Sequence, residues 1–183
     1  IGVDIEGNPV EIAVNEDAAT AAIVFKTVVD PFIGKLTFVK VVAGKLTADS
    51  PVMNMRTGEQ ERMIKMYYMC GKKQEETKCI CAGDIGAIPK LQHTNTGDTL
   101  CSPTRKVVLE GVTYPEPVLS MAILPKRKGE EDKVAQGVLR LLEEDPTLKF
   151  VNNAETHQMI LSGLGEQHLD VVVSKLKGKF GLD

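Results

Sequence analysis

The side chains best suited to act as nucleophiles, bases or soft metal ligands are four cysteines, Cys70, Cys79, Cys81 and Cys101, and three histidines, His93, His157 and His168. The cysteine spacing fits neither the paired C-x-x-C of a zinc ribbon nor the dense framework of a small secreted domain. Cys79 and Cys81 flank Ile80, so on a strand their thiols share one face, where reduced cysteine packs as a small hydrophobe. No metal site and no disulfide is expected. His93 and His157 stand in polar, turn-like surroundings with no second histidine or cysteine pair at ligand spacing. His168 has no Ser or Cys partner at a recognisable motif spacing, so no catalytic residue is expected.

The sharpest local feature is Ser162-Gly163-Leu164-Gly165-Glu166. Two glycines free the backbone at a strand-to-helix turn and leave unpaired helix N–H groups near its tip, where an anion or an RNA phosphate can sit. Equally, glycine there permits a tight turn and close packing of helix on sheet. His168 follows at the edge of an apolar stripe, a packing or capping position. Positive charge gathers in two places. Gly71-Lys72-Lys73, with Arg56 and Arg62, can face RNA phosphates or simply solubilise a surface. Lys126-Arg127-Lys128 precedes Glu130-Glu131-Asp132, so it is nearly self-neutralised, and the acids suit a helix N-terminus. Lys175, Lys177 and Lys179 are explained by the helix C-terminal dipole and a solvated face.

What must position these groups follows from the rest of the chain. With 183 residues, 43% hydrophobic, there is enough apolar side chain for one large core or two modest ones. A formal charge of -3 argues against a free-standing nucleic-acid binder, so any polyanion contact is local. No apolar stretch approaches the roughly 20 residues that span a bilayer, and Ile1-Gly2-Val3-Asp4 has no basic, apolar leader; the chain reads as soluble and cytoplasmic.

Between Ala21 and Cys101, short period-two or β-branched runs alternate with Gly, Pro, Asp and Asn, the pattern of an all-β sandwich or barrel. The clearest are 22–25, 35–41, 51–55, 62–67, 85–88 and 99–101, and closing them into a barrel removes exposed edges. Residues 102–106 read as a linker, and residues 1–20 as the tail of something upstream. From 107 to 183 the period changes: a strand at 118–123, a helix with Val134, Val138, Leu141 and Leu142 on one side, stopped by Pro146, short strands at 148–151 and 159–162, and a helix from Glu166. Leu169, Val172, Val173, Leu176 and Phe180 form its apolar stripe. Strand, helix, strand, strand, helix is a split βαβ, or ferredoxin-like, domain lacking most of its last strand.

Several segments resemble bacterial elongation factor G. Phe25-Lys26 and Asp30-Pro31-Phe32-Ile33-Gly34-Lys35-Leu36-Thr37-Phe38 resemble the opening of its second domain. Val41-Val42-Ala43-Gly44-Lys45-Leu46, Ala82-Gly83-Asp84-Ile85-Gly86-Ala87 and Thr96-Gly97-Asp98-Thr99-Leu100 resemble the barrel signature of translational GTPases. Tyr114-Pro115-Glu116-Pro117-Val118, Leu141-Leu142-Glu143-Glu144-Asp145-Pro146-Thr147 and Ser162 to Asp170 resemble the third domain of the same factor. Gln167 stands where that family has an apolar residue, and Cys79 and Cys81 lie outside its pattern, which leaves open a housekeeping factor or a divergent paralogue. Peptide-release and tetracycline-protection factors are related alternatives.

The resemblance implies a monomeric segment that docks on the ribosome, against small-subunit RNA and proteins, in a factor that moves tRNA and mRNA and helps recycle ribosomes. GTP and Mg²⁺ would be bound by a separate N-terminal domain, since no G-x-x-x-x-G-K-S/T loop occurs here. By the same resemblance Arg56, Arg62, Lys72, Lys73, Lys126 and Arg127 become candidate RNA contacts. Gly163, Gly165, Glu166 and His168 border the fusidic acid pocket and the nucleotide-domain interface. Two functions of other classes remain to be weighed. A stand-alone metabolite sensor predicts a closed fourth strand. An acyl-phosphate hydrolase needs a glycine-rich cradle that Leu124-Pro125-Lys126-Arg127 lacks.

Overall fold

Asp4 starts the fold by local chemistry: its Oδ1 accepts the N–H groups of Glu6 and Asn8, both at 2.9 Å. This side-chain-closed turn joins β1 (Gly2–Val3) to β2 (Pro9–Val10). The computed structural model describes residues 2–30, 34–71, 73–127, 129–153 and 158–182. By chain contacts they form two units, 1–112 and 113–183.

In the first unit a long hairpin pairs β3 (Ala21–Asp30) with β4 (Gly34–Ala43), with register shifts at Ala21/Ala22 and Val24/Lys26 that bend the strands. There follow β5 (Lys45–Thr47), β6 (Pro51–Asn54), β7 (Gln60–Arg62), β8 (Met66–Cys70) and β9 (Lys73–Thr77). Next come β10 (Cys79–Cys81), β11 (Ile85–Pro89), β12 (Thr99–Cys101) and β13 (Val108–Leu109). One eight-stranded sheet has the order β7-β6-β12-β3-β4-β11-β8-β9, and β5 pairs separately with β10. The architecture of this unit is the expected all-β one. The sheet curls around Val24, Val39, Val41, Leu46, Met63, Met66, Ile80, Ile88 and Leu100, all at most 1% exposed. Among the described residues no ladder joins β7 to β9, so side-chain packing rather than a continuous ladder closes the curl. The expected strand at 62–67 is interrupted at 63–65, where Ile64 and Lys65 are both exposed between buried Met63 and Met66 and break the period of two.

Residues 1–20 and 107–112 depart from the expected division. β1 pairs with β13 on one side and β2 on the other. Val107, Leu109, Ile12 and Ala18 then cover Ala21, Ala43 and Cys101 on the other side of the large sheet. The upstream segment is therefore a folded cover rather than a residual linker. The boundary falls between Val112 and Thr113 rather than across 102–106.

The second unit contains β14 (Leu119–Ile123), α1 (Glu131–Glu144), β15 (Lys149–Asn153), β16 (Gln158–Gly163) and α2 (Glu166–Phe180). Its sheet order is β14-β16-β15, with β16 antiparallel to both neighbours, the expected split βαβ arrangement. Val134, Val138 and Leu141 of α1 and Leu169, Val172 and Leu176 of α2 bury their stripes against Leu148, Met159 and Leu161. Val173, placed on the stripe by periodicity, is 37% exposed. It stands one step, roughly 100°, around the helix from Val172 and falls off the buried edge. α1 ends at Asp145, just before Pro146, and α2 ends at Gly181 in a left-handed cap with φ 63°.

Candidate functional site

The basic residues of the first unit have different surroundings. Arg56 follows β6, and its guanidinium grips Asp98 with Nε to Oδ1 at 2.6 Å and Nη2 to Oδ2 at 3.0 Å. Nη2 also donates to the His93 carbonyl at 2.9 Å. The hydrogen bonds from Arg56 to Asp98 hold the guanidinium proton more tightly than in a free arginine. Asn54 adds a bond from Nδ2 to Asp98 Oδ2 at 2.8 Å, and Asn95 N–H another at 2.8 Å. Beside them Glu61 accepts the Thr94 hydroxyl and the Gln92 N–H. Arg56 thus serves a buried polar network that ties the 92–98 loop to β6. It is a structural residue before it is a phosphate ligand.

Arg62 and Lys73 are freer. Arg62, ending β7, meets Asp49 at 3.3 Å, and Lys73, opening β9, meets Glu75 at 2.8 Å. All four side chains are at least half exposed. Exposed pairs of this kind are worth roughly 0 to 1 kcal/mol, so a phosphate can replace the carboxylate at little expense. Lys72 lies outside the described residues. In the second unit Lys126 and Arg127 lie exposed in the bend after β14, and among the described residues neither has an ion-pair partner. Lys133 pairs with Glu130 at 3.7 Å, at the start of α1, where acids suit the helix dipole.

The glycine turn is built by contacts that spacing alone did not show. A methyl group on Gly163 would stand 2.8 Å from Leu169 Cδ2 and 3.1 Å from His168 Nδ1, so any larger residue there would push these two side chains off the turn. Gly165 differs from expectation: its backbone is extended, with φ 164°, and nothing lies within 4 Å of an added Cβ. Any residue can adopt that conformation. His168 closes the turn. Its Nδ1 accepts the Leu164 N–H at 3.1 Å, and its Nε2 contacts Asp145 Oδ2 at 2.9 Å. An acceptor at Nδ1 assigns the proton to Nε2, which donates to the carboxylate. With both ring nitrogens engaged, neither faces a nucleophile, and His168 acts as a clip between the turn and the end of α1. Glu166 places a carboxylate in the first turn of α2, where it complements the dipole and competes with any other anion.

Asp145 and Thr147, which spacing alone did not connect to the turn, complete this clip. Thr147 donates to Asp145 Oδ1 from its hydroxyl at 2.6 Å and its N–H at 3.0 Å. Burial pushes the Asp145 carboxyl up, but the Thr147 and His168 hydrogen bonds outweigh it and the net displacement is downward. A carboxyl lowered in the folded state adds stability above its ordinary value of 3.8 and loses it as pH falls through the lower folded value. Asp145→Asn should therefore be less stable than the parent at neutral pH, and the gap should close in strong acid. Urea midpoints followed by circular dichroism over that pH range check this; a gap independent of pH contradicts it.

Cys79 and Cys81, expected as small buried hydrophobes, are both only partly buried, with Sγ atoms 3.8 Å apart. The hydrogen bond with Cys79, then burial, push the Cys81 thiol up to about 11. His93 is engaged at Nδ1 with Glu59 at 3.0 Å, and His157 lies outside the described residues. Among the described residues no helix is long and apolar enough to cross a membrane.

Residues 19–103 match the family model described as elongation factor G domain 2, and residues 114–183 match that described as elongation factor G, domain III. A crystal structure of a protein from Thermus thermophilus is similar at 29% identity and a TM-score of 0.78, over 91% of this chain and 25% of that one. The chain thus spans about a quarter of the length of that protein.

Proposed function

Because the chain carries an elongation factor G domain 2 followed by an elongation factor G domain III, we propose that it is a ribosome-docking and coupling segment of a translation elongation factor. The observation that carries this reading is the pair of family matches in the factor's own order across 19–103 and 114–183. In this proposal the factor is a cytoplasmic GTPase that promotes tRNA and mRNA translocation and ribosome recycling. GTP and Mg²⁺ are handled by a nucleotide domain outside the two described units, and this chain performs no hydrolysis. The segment acts as a monomer on small-subunit RNA and proteins. The clipped turn at Gly163 to His168 faces the nucleotide domain and borders the fusidic acid pocket.

The charge distribution supports local docking. At a net charge of -3 the chain has no general attraction for RNA, so binding rests on a few cations that can exchange partners. Arg62, Lys73, Lys126 and Arg127 meet that condition and Arg56 does not. Co-sedimentation with vacant 70S ribosomes over a salt series tests the proposal: the chain pellets at low salt and dissociates as salt rises. The Arg62→Ala, Lys73→Ala double variant should lower the log–log salt slope by about 2, roughly 1 for each lost phosphate contact, with unchanged melting. Failure to pellet at any salt, or an unaltered slope in the double variant, contradicts it.

A further inference from the structure

The short strand β10 presents two thiols that the docking function does not use. Residues at i and i+2 of a strand project from one face. Ile80, between the two cysteines, points the other way and is fully buried in the first-unit core. The strand is held firmly. β5 pairs with it residue by residue, Cys79 with Thr47 and Cys81 with Lys45. The Thr77 hydroxyl donates to the Cys79 carbonyl at 2.9 Å. Neither thiol is in a disulfide, and both are partly open to solvent.

The Sγ separation is 3.8 Å. Two thiolates bound at about 2.3 Å to one tetrahedral ion stand about 3.8 Å apart, the same spacing. A disulfide bond is only about 2.0 Å long, so oxidation would require the pinned strand to draw the sulfurs together, whereas chelation requires no movement. The Glu16 carboxylate adds negative charge beside the Cys81 thiol.

We propose that Cys79 and Cys81 form a two-thiolate chelate for a soft divalent cation of the zinc and cadmium class, with solvent completing its coordination. Among the described residues no group of three Cys, His, Asp or Glu side chains is placed to hold an ion, so this is an open, exchangeable site rather than a closed structural one. Binding transfers both thiol protons to solvent and forms two metal–sulfur bonds; no oxidant or reductant takes part.

The test uses the whole chain, reduced and freed of metal, titrated with Cd²⁺. Thiolate-to-cadmium charge-transfer absorption should saturate at one ion per chain. It should be lost in Cys79→Ser and in Cys81→Ser, and retained in Cys70→Ser and Cys101→Ser. The parent chain gives a second reading that needs no variant. Cd²⁺ should protect the two cysteines of the tryptic peptide spanning residues 79–90 from alkylation, while the exposed Cys70 reacts as before. Absorption that survives loss of both thiols, saturation at one ion per two chains, no saturable absorption, or alkylation of the 79–90 peptide unaffected by Cd²⁺ would each overturn the proposal.

Discussion

Replacing Gly44 with alanine is expected to unfold much of the first unit, the largest effect of a single methyl group in this chain. Gly44 has φ +68°, a left-handed conformation that costs an L-residue roughly 1 kcal/mol. The greater cost is steric. A Cβ there would lie 2.5 Å from the Ala18 carbonyl oxygen and 2.7 Å from the Thr20 Cα and N. These are backbone atoms, and no rotamer change relieves the overlap. The 15–20 segment would have to move away, although Gly44 N–H donates to Asn15 O at 2.8 Å and the Thr20 hydroxyl to Lys45 O at 2.8 Å. Losing both bonds along with the strain should remove more than about 3 kcal/mol, a large share of the roughly 5 to 15 kcal/mol that stabilises a domain. Gly58→Ala is the control: φ is +73°, yet nothing lies within 4 Å of its added methyl group. Urea denaturation followed by circular dichroism should show Gly44→Ala well below Gly58→Ala, and equal midpoints would refute the steric account.

The second large effect is at Asp98. Its side chain is 4% exposed and accepts from Arg56, Asn54 and the Asn95 N–H. Asp98→Ala leaves the fully buried Asn54 amide with only long contacts, Thr94 Oγ1 at 3.3 Å and the His93 carbonyl at 3.4 Å. It also strips Arg56 of its counter-charge. Each of the Asn54 amide and the Asn95 N–H loses its short acceptor, and a buried donor left unsatisfied costs about 1 to 3 kcal/mol. Arg56→Ala should cost less, about 1 to 3 kcal/mol, because half of that side chain is already in solvent and Asp98 keeps the Asn54 and Asn95 donors. The order of the two melting temperatures decides: if Arg56→Ala is the more damaging, the network is not centred on the carboxylate.

These two positions show which parts of the molecule were legible in the sequence. Gly44 and Asp98 both lie in segments that read as turn punctuation, and turns they are. What makes them indispensable is a partner across the fold, Ala18 and Thr20 for one and Arg56 for the other, and period or composition carries no record of such pairs. The same holds for β1, whose two residues pair with 108 and 109 about a hundred positions away. Strands so short have no periodicity to detect. By contrast, the helices were readable almost to the residue, since an acidic first turn, Pro146 and a stripe of apolar side chains act locally. The shared face of Cys79 and Cys81 was likewise legible from the period of two; the 3.8 Å separation of their sulfurs was not.

Of the candidate site, residues 163–168 were found as a unit because they are contiguous. Asp145 and Thr147, which fix the ring of His168, come from the far end of α1, and spacing alone did not join them to it. Arg56 is drawn toward RNA by its charge and by the family resemblance, and neither distinguishes a guanidinium facing solvent from one facing a buried carboxylate.

Hydroxyl-radical footprinting of ribosomal RNA in vacant 70S ribosomes tests the docking role most directly. With saturating chain at low salt, the account predicts a confined patch of protection on small-subunit RNA. That patch should fade in the Arg62→Ala, Lys73→Ala variant while circular dichroism shows the fold intact. Ribosomal RNA cleaved identically with and without the chain, or protected only on the large subunit, would contradict it.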